Sequence, residues 1–245
     1  MELRVLALYP DQMNIYADRG NIIFLQQRCE WRGIGFSYAG AGPGEGLDPA
    51  AHDLLYLGGG QDRDQRAVAA DMVESKREAL GAAVSDGAVL LAVCGGYQLL
   101  GHSYQLGEER LPGLGLADLE TVREPGKRLI GNVAIEADLG DGPQTIAGFE
   151  NHGGRTYLGD AATPLGRVLK GHGNNGVDGS EGVRRDNLIG TYLHGPLLPK
   201  NAWLADRLIA LALERRYGAA PDLEPLEDSL ELAAQECARD VALRS

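Results

Sequence analysis

The run Val89-Leu90-Leu91-Ala92-Val93 has no polar side chain and leads straight into Cys94-Gly95-Gly96. A short apolar run bounded by turn residues is a strand buried on both faces, and such strands belong to parallel sheets covered by helices on each side. Three more apolar runs have strand length and turn-rich ends: Leu3 to Leu8, Gly33 to Tyr38 and Asp53 to Leu57. Helical patterns lie between them. Asn21 to Arg32 carries Ile22, Ile23, Leu25 and Trp31 on a stripe for the core, and Asp64 to Val84 carries Val68, Met72 and Leu80 among charges. Strand alternating with helix predicts an α/β fold, with a central, mostly parallel sheet and flanking helices.

From about Leu114 to Ile189 the pattern changes to short segments of alternating polarity, such as Leu129 to Glu136, separated by dense turn chemistry such as Gly173-Asn174-Asn175-Gly176. These read as β-hairpins that extend the same sheet or form a smaller one beside it. Helix returns at Lys200 to Tyr217, followed by a link from Pro221 to Pro225 and an acidic amphipathic stretch from Leu226 to Leu243. The link is too short to demand a boundary, so the expectation is a single domain over 1–245. Its C-terminal helical segment 200–245 would pack on that domain or on a partner.

The formal net charge of −12 argues against a nucleic-acid backbone or an anionic membrane as direct partner. No window approaches the ~18 consecutive apolar residues of a membrane span. The start, Met1 to Pro10, reads as a first strand and lacks the pattern of a signal peptide, so a cytoplasmic location is expected. Three widely spaced cysteines, Cys29, Cys94 and Cys237, make no disulfide framework. No two histidines or cysteines stand at metal-ligand spacing, and no Walker loop is present, so no metal or ATP site is expected in this chain. The glycine-rich Gly40 to Gly46, interrupted by Pro43 and followed by no helix, is a connection.

Cys94 is where the chemistry concentrates. A strand that turns abruptly into a helix exposes the residue at the bend and needs small neighbours, and Ala92, Gly95 and Gly96 supply them. The following helix aims its N-terminal N–H groups at the sulfur, which favours the thiolate. Cys29 and Cys237 lack such a setting and read as packing thiols. A nucleophile needs a base. His52 and His102 flank core segments and His172 lies in a turn-rich loop. His194, at the end of the apolar run Leu188 to Leu193, sits where a strand of the same sheet would end, and is the expected base, with His152 second. Leu54 to Leu57 opens into Gly58-Gly59-Gly60, whose N–H groups, with that of Gly95, could face an oxyanion.

Together these residues resemble a family, the class I (triad-type) glutamine amidotransferases. The resemblance is closest to the branch containing the glutaminase domains of cobyric and cobyrinic acid synthases and the glutaminase subunits of lipid II isoglutaminyl synthases. It rests on Tyr56 to Asp62, Cys94-Gly95-Gly96-Tyr97-Gln98-Leu99-Leu100-Gly101, Gly148 to Thr156, Gly173 to Gly176 with Glu181-Gly182, and Gly190 to Pro196. Asp18-Arg19-Gly20-Asn21 also fits. The resemblance implies a flavodoxin-like fold in which Cys94 attacks the carboxamide of L-glutamine and His194 protonates the departing ammonia. It also implies oxyanion donors at Gly59, Gly60 and Gly95, and a substrate pocket with Gln98, Arg128 and His152, the Arg128 guanidinium gripping the α-carboxylate.

One departure stands out. The class commonly carries a glutamate two residues after the histidine, and here that residue is Pro196. Either a dyad suffices or the carboxylate comes from elsewhere, and the resemblance implies that a partner, a MurT-like Mur-ligase homologue, supplies an acidic residue at the interface. That partner would hold ATP and Mg²⁺, receive the ammonia through a closed channel and amidate the D-glutamate α-carboxylate of the lipid II stem peptide. Glutaminase for another amidation, such as that of a corrin carboxylate, and a cysteine hydrolase on the same fold are the alternatives.

Overall fold

The computed structural model describes residues 1–15, 18–219 and 221–244. Its first part alternates: β1 (Glu2–Leu8), α1 (Arg19–Glu30), β2 (Gly35–Ala41), β3 (Leu54–Leu57), α2 (Asp62–Asp71), a π-helical turn at Met72–Lys76, α3 (Arg77–Ser85), β4 (Val89–Val93) and α4 (Gly95–Leu99). The middle is strand: β5 (Ser103–Leu106), β6 (Glu109–Pro112), β7 (Leu119–Val122), β8 (Leu129–Asp138), β9 (Pro143–His152), β10 (Arg155–Leu158), β11 (Gly166–Lys170), β12 (Ser180–Glu181), β13 (Val183–Arg185) and β14 (Leu188–Thr191). A 3-10 turn at Leu198–Lys200 leads to α5 (Ala202–Tyr217) and α6 (Ser229–Arg244).

The central sheet has the order β13-β14-β4-β3-β1-β2. Its pairs are parallel except β13 with β14, and β3, β4 and β14 are buried along their whole length. The order β2-β1-β3-β4-β14 is the flavodoxin-like one, as expected, and such sheets place ligands beyond the carboxyl ends of their strands. Both expectations for the middle are met at once. The β13–β14 hairpin extends the central sheet, while two four-stranded sheets, β10-β7-β5-β6 and β12-β11-β8-β9, stand beside it. The decisive pairing is β14 beside β4 with Thr191 opposite Val93, because it brings the two residues just beyond those strands to the same edge.

Two details differ from expectation. On α1, Ile22 and Leu25 are buried, but Ile23 is 57% and Trp31 52% exposed. The inward face of this helix instead takes Asn21 and Arg28, both fully buried. The long helix expected over Asp64 to Val84 is broken by the π turn, which brings Lys76 onto Asp71 (2.6 Å) and over the Tyr9 ring. At the C-terminus, α6 lies against β8 and β9, with Gln235 donating to the Thr145 carbonyl (2.9 Å). Arg28 of α1 is the clasp, paired with Asp206 of α5 and with Asp228 just before α6.

Candidate active site

Cys94 takes φ +50° and ψ −104°. An L-residue in that region carries strain of about 1–3 kcal/mol, tolerated where the surroundings over-determine it. Here they do. The Cys94 N–H donates to the Thr191 carbonyl (2.8 Å), its carbonyl accepts the Gln98 N–H (3.0 Å), and α4 leaves the bend at once. A Cβ on Gly96 would lie 2.6 Å from the Leu57 carbonyl oxygen, and one on Gly95 would lie 2.1 Å from Gln65 Nε2 and 3.0 Å from the Gly60 nitrogen. Only glycines let the β3 loop and the elbow approach so closely.

His194 follows β14 and is fully buried. Its backbone bridges to Phe149 of β9, donating its N–H (2.7 Å) and accepting that of Phe149 (3.3 Å), so the neighbouring sheet fixes its height above the strand ends. The Cys94 sulfur stands close enough to act on its imidazole, and Asp18 Oδ1 lies 3.5 Å from Nδ1. A fully buried aspartate of this chain, which the sequence reading did not single out, therefore stands beside the base. Asp18 stands at the start of α1, far from Pro196 in sequence.

The second oxygen of Asp18 accepts the Gly59 N–H (2.8 Å). That corrects the expectation for Gly59. Its donor is committed to Asp18 and cannot also serve an oxyanion, so Gly59 becomes the link between the glycine loop and the base. The Gly60 nitrogen lies beside Gly95, 3.0 Å from where a Cβ on that residue would stand. Burial on its own pushes the His194 imidazole down. The Cys94 sulfur and the Asp18 carboxylate outweigh it and hold the imidazolium well above the ordinary histidine range.

A cavity of about 410 Å³ opens over Cys94. Of the expected substrate residues, Gln98, Arg128 and His152 all line it. Leu129 pairs with His152 at the end of the β8–β9 hairpin, which puts the preceding Arg128 beside the cavity. There its Nε donates to Asn151 Oδ1 (2.8 Å) and its Nη2 to the Asn151 carbonyl (2.7 Å), holding the guanidinium in place. His152 is a wall, with Nδ1 on the Gly154 carbonyl (2.8 Å), Nε2 3.4 Å from Glu150 and its ring stacked on Tyr192 at 3.5 Å. Burial lowers its basicity, against an opposing pull from Glu150. Both nitrogens face protein, so His194 and not His152 has the setting of a base. His52, His102 and His172 do not line the cavity.

Residues 4–202 match the family model of the CobB/CobQ-like glutamine amidotransferase domain. The chain belongs to that family. This glutamine amidotransferase is 41% identical over 244 residues to the "Lipid II isoglutaminyl synthase (glutamine-hydrolyzing) subunit GatD" of Staphylococcus aureus, covering 99% of this chain and 97% of that one. The protein of the same name from Streptococcus pneumoniae is 38% identical over 241 residues, 98% of this chain and 92% of that one. A solved structure of PurLQS from Thermotoga maritima superposes with a TM-score of 0.55 over 79% of this chain and 88% of that one, at 20% identity, a likeness of fold alone.

Sequence reasoning missed three features of the amidotransferase site. Asp18 entered only as part of a matching segment, because nothing local marks an aspartate at a helix start as the partner of a histidine 176 residues away. Arg63 and Gln65 also line the cavity. Their signal was available, since both fall in the first turn after the Gly58–Gly60 loop. Tyr192, two residues before His194, was read only as part of an apolar run.

Proposed function

We propose that this chain is the glutaminase subunit of a lipid II-amidating synthase. The observation that carries the glutaminase reading is the elbow cysteine at the same sheet edge as a buried histidine that has Asp18 beside it. The Cys94 thiolate attacks the side-chain carbonyl carbon of glutamine. The resulting oxyanion faces the N–H groups of Gly60 and Gly95. The His194 imidazolium gives its proton to the departing ammonia, leaving a glutamyl thioester. Water, deprotonated by the now neutral imidazole, then cleaves the thioester to glutamate and restores the thiolate–imidazolium pair. Arg128 binds the substrate's α-carboxylate and Gln98 contributes to the pocket.

The acceptor and the partner are inferred from the relatives' names and from the sequence resemblance. Ammonia would pass to a MurT-like Mur-ligase homologue that holds ATP and Mg²⁺ and amidates the D-glutamate α-carboxylate of the lipid II stem peptide. With Asp18 already beside His194, the partner's part is to receive ammonia and shape the mouth of the site, not to complete the base. Ammonia release from glutamine, measured with and without that partner, tests the reading. Wild type should release ammonia and Cys94→Ala and His194→Ala should not; equal release by Cys94→Ala would end the proposal.

A further inference from the structure

Behind the cavity wall runs a buried line of polar groups that catalysis as described does not use. Gln65 Nε2 donates to Gln98 Oε1 (2.8 Å), and Gln98 Nε2 donates to the Tyr192 hydroxyl (3.1 Å). Tyr192 Oη is 2.6 Å from Thr156 Oγ1, which is 2.8 Å from Thr121 Oγ1. All five residues are buried. In the Tyr192–Thr156 and Thr156–Thr121 pairs either hydroxyl can be the donor, and in one continuous buried line neighbouring bonds polarise and strengthen one another.

This line spends one lone pair of the Gln98 carbonyl and one of its two amide hydrogens. What Gln98 has left is one N–H and the second lone pair of its carbonyl oxygen. Gln65 and Gln98 line the cavity, whereas Tyr192, Thr156 and Thr121 stand behind it. The Tyr192 ring also stacks on the His152 wall and meets Tyr97 edge-on (centroids 5.0 Å apart). Its backbone N–H is held by the buried Glu181 (2.7 Å). One tyrosine thus joins the substrate wall to the strand end that carries His194.

We propose that Tyr192, backed by Thr156 and Thr121, is a positioning residue that fixes the Gln98 amide with a donor toward the cavity, so that the site selects a substrate presenting an oxygen acceptor there. On the glutaminase reading, that acceptor is a carboxylate or carboxamide oxygen of glutamine. Without the hydroxyl the amide is held only from the Gln65 side and its nitrogen loses its fixed acceptor, so the donor toward the cavity is less firmly placed. The effect belongs in substrate affinity, not in the chemical step.

Glutamine binding to the full-length Cys94→Ala chain, followed by calorimetry, separates this from turnover. Adding Tyr192→Phe, which keeps the ring stacks, should weaken binding about tenfold, the order of one buried hydrogen bond. Thr156→Val should act in the same direction, and Thr156→Ser, which keeps the hydroxyl, should restore wild-type affinity. In chains with Cys94 intact, KM for glutamine should rise with kcat within about threefold. Unchanged binding in Tyr192→Phe, or a loss in Thr156→Ser equal to that in Thr156→Val, would overturn the inference while leaving the glutaminase reading standing. A Cys94→Ala chain that binds no glutamine would overturn both.

Discussion

At the scale of single residues, Cys94, His194 and Asp18 form one electrostatic unit. The imidazole lies beside the Cys94 sulfur and the Asp18 side chain in a buried setting, where such interactions are screened little. Asp18→Asn keeps the shape and removes the charge, so the imidazolium loses part of what holds it above its ordinary value. The alkaline limb of the pH–rate profile should then move to lower pH, and kcat should fall about 10–100-fold. A profile superposable on wild type would show that Asp18 does not act on the base. Cys94→Ala, which removes one sulfur at the sheet edge, should abolish ammonia release and leave the thermal melt within a few degrees of wild type. Cys94 and His194 could be singled out from sequence because each sits at a strand end, while Gln98 and Arg128 came only with the family resemblance. Asp18 could not, because its partner is defined by the folded sheet. The donor role expected of Gly59 failed for the same reason, since an N–H cannot be assigned until its acceptor is known.

At the scale of elements, α1 supports both ends of the molecule. Its start carries Asp18 to the base, and Asn21 accepts the Leu198 N–H (2.8 Å) while donating to the Tyr56 hydroxyl (3.0 Å). Its last turn carries Arg28, buried between Asp206 and Asp228, with Nε on Asp206 Oδ1 (2.8 Å) and Nη2 on Asp228 Oδ2 (2.8 Å). This buried charge also explains why the helix's expected apolar stripe was misread. Polar residues facing inward toward α5 and the C-terminal segment look, in sequence, like a solvent face. Arg28→Ala should destabilise the chain by about 2–3 kcal/mol, less than the 3–5 of a fully buried pair, because both aspartates keep some contact with water. Hydrogen exchange should report the loss in α6 and the end of α1. Protection unchanged in α6 would mean that the helix is held by its packing on β8 and β9 alone.

At the scale of the whole molecule, the alternation of strand and helix was enough to give the layered α/β plan, while the order of strands in the sheet was not legible. The allocation of the ten middle strands among three sheets was not legible, because hairpin patterns specify local pairs and not which edge a hairpin joins. That allocation matters, since it ties the substrate wall to the nucleophile's sheet through buried polar groups. Glu181 is one of them. Burial, with some repulsion from Glu150, pushes its carboxyl up to about 7, against the opposing bonds from Thr191 and the Tyr192 N–H. A carboxyl raised by folding contributes its full stability below the unfolded pKa near 4.5 and loses it as pH climbs through 7. Glu181→Gln, neutral throughout, should therefore lose less stability than wild type between pH 5 and pH 8 in urea melts, by up to about 3 kcal/mol. Parallel curves for the two proteins would contradict this.

The most direct measurement is to quench the full-length chain with acid during turnover of glutamine and map the glutamyl adduct by mass spectrometry. The adduct should sit on the peptide bearing Cys94, and none should form in Cys94→Ala. An adduct on Cys29 or Cys237, or ammonia release that continues in Cys94→Ala, would contradict the account.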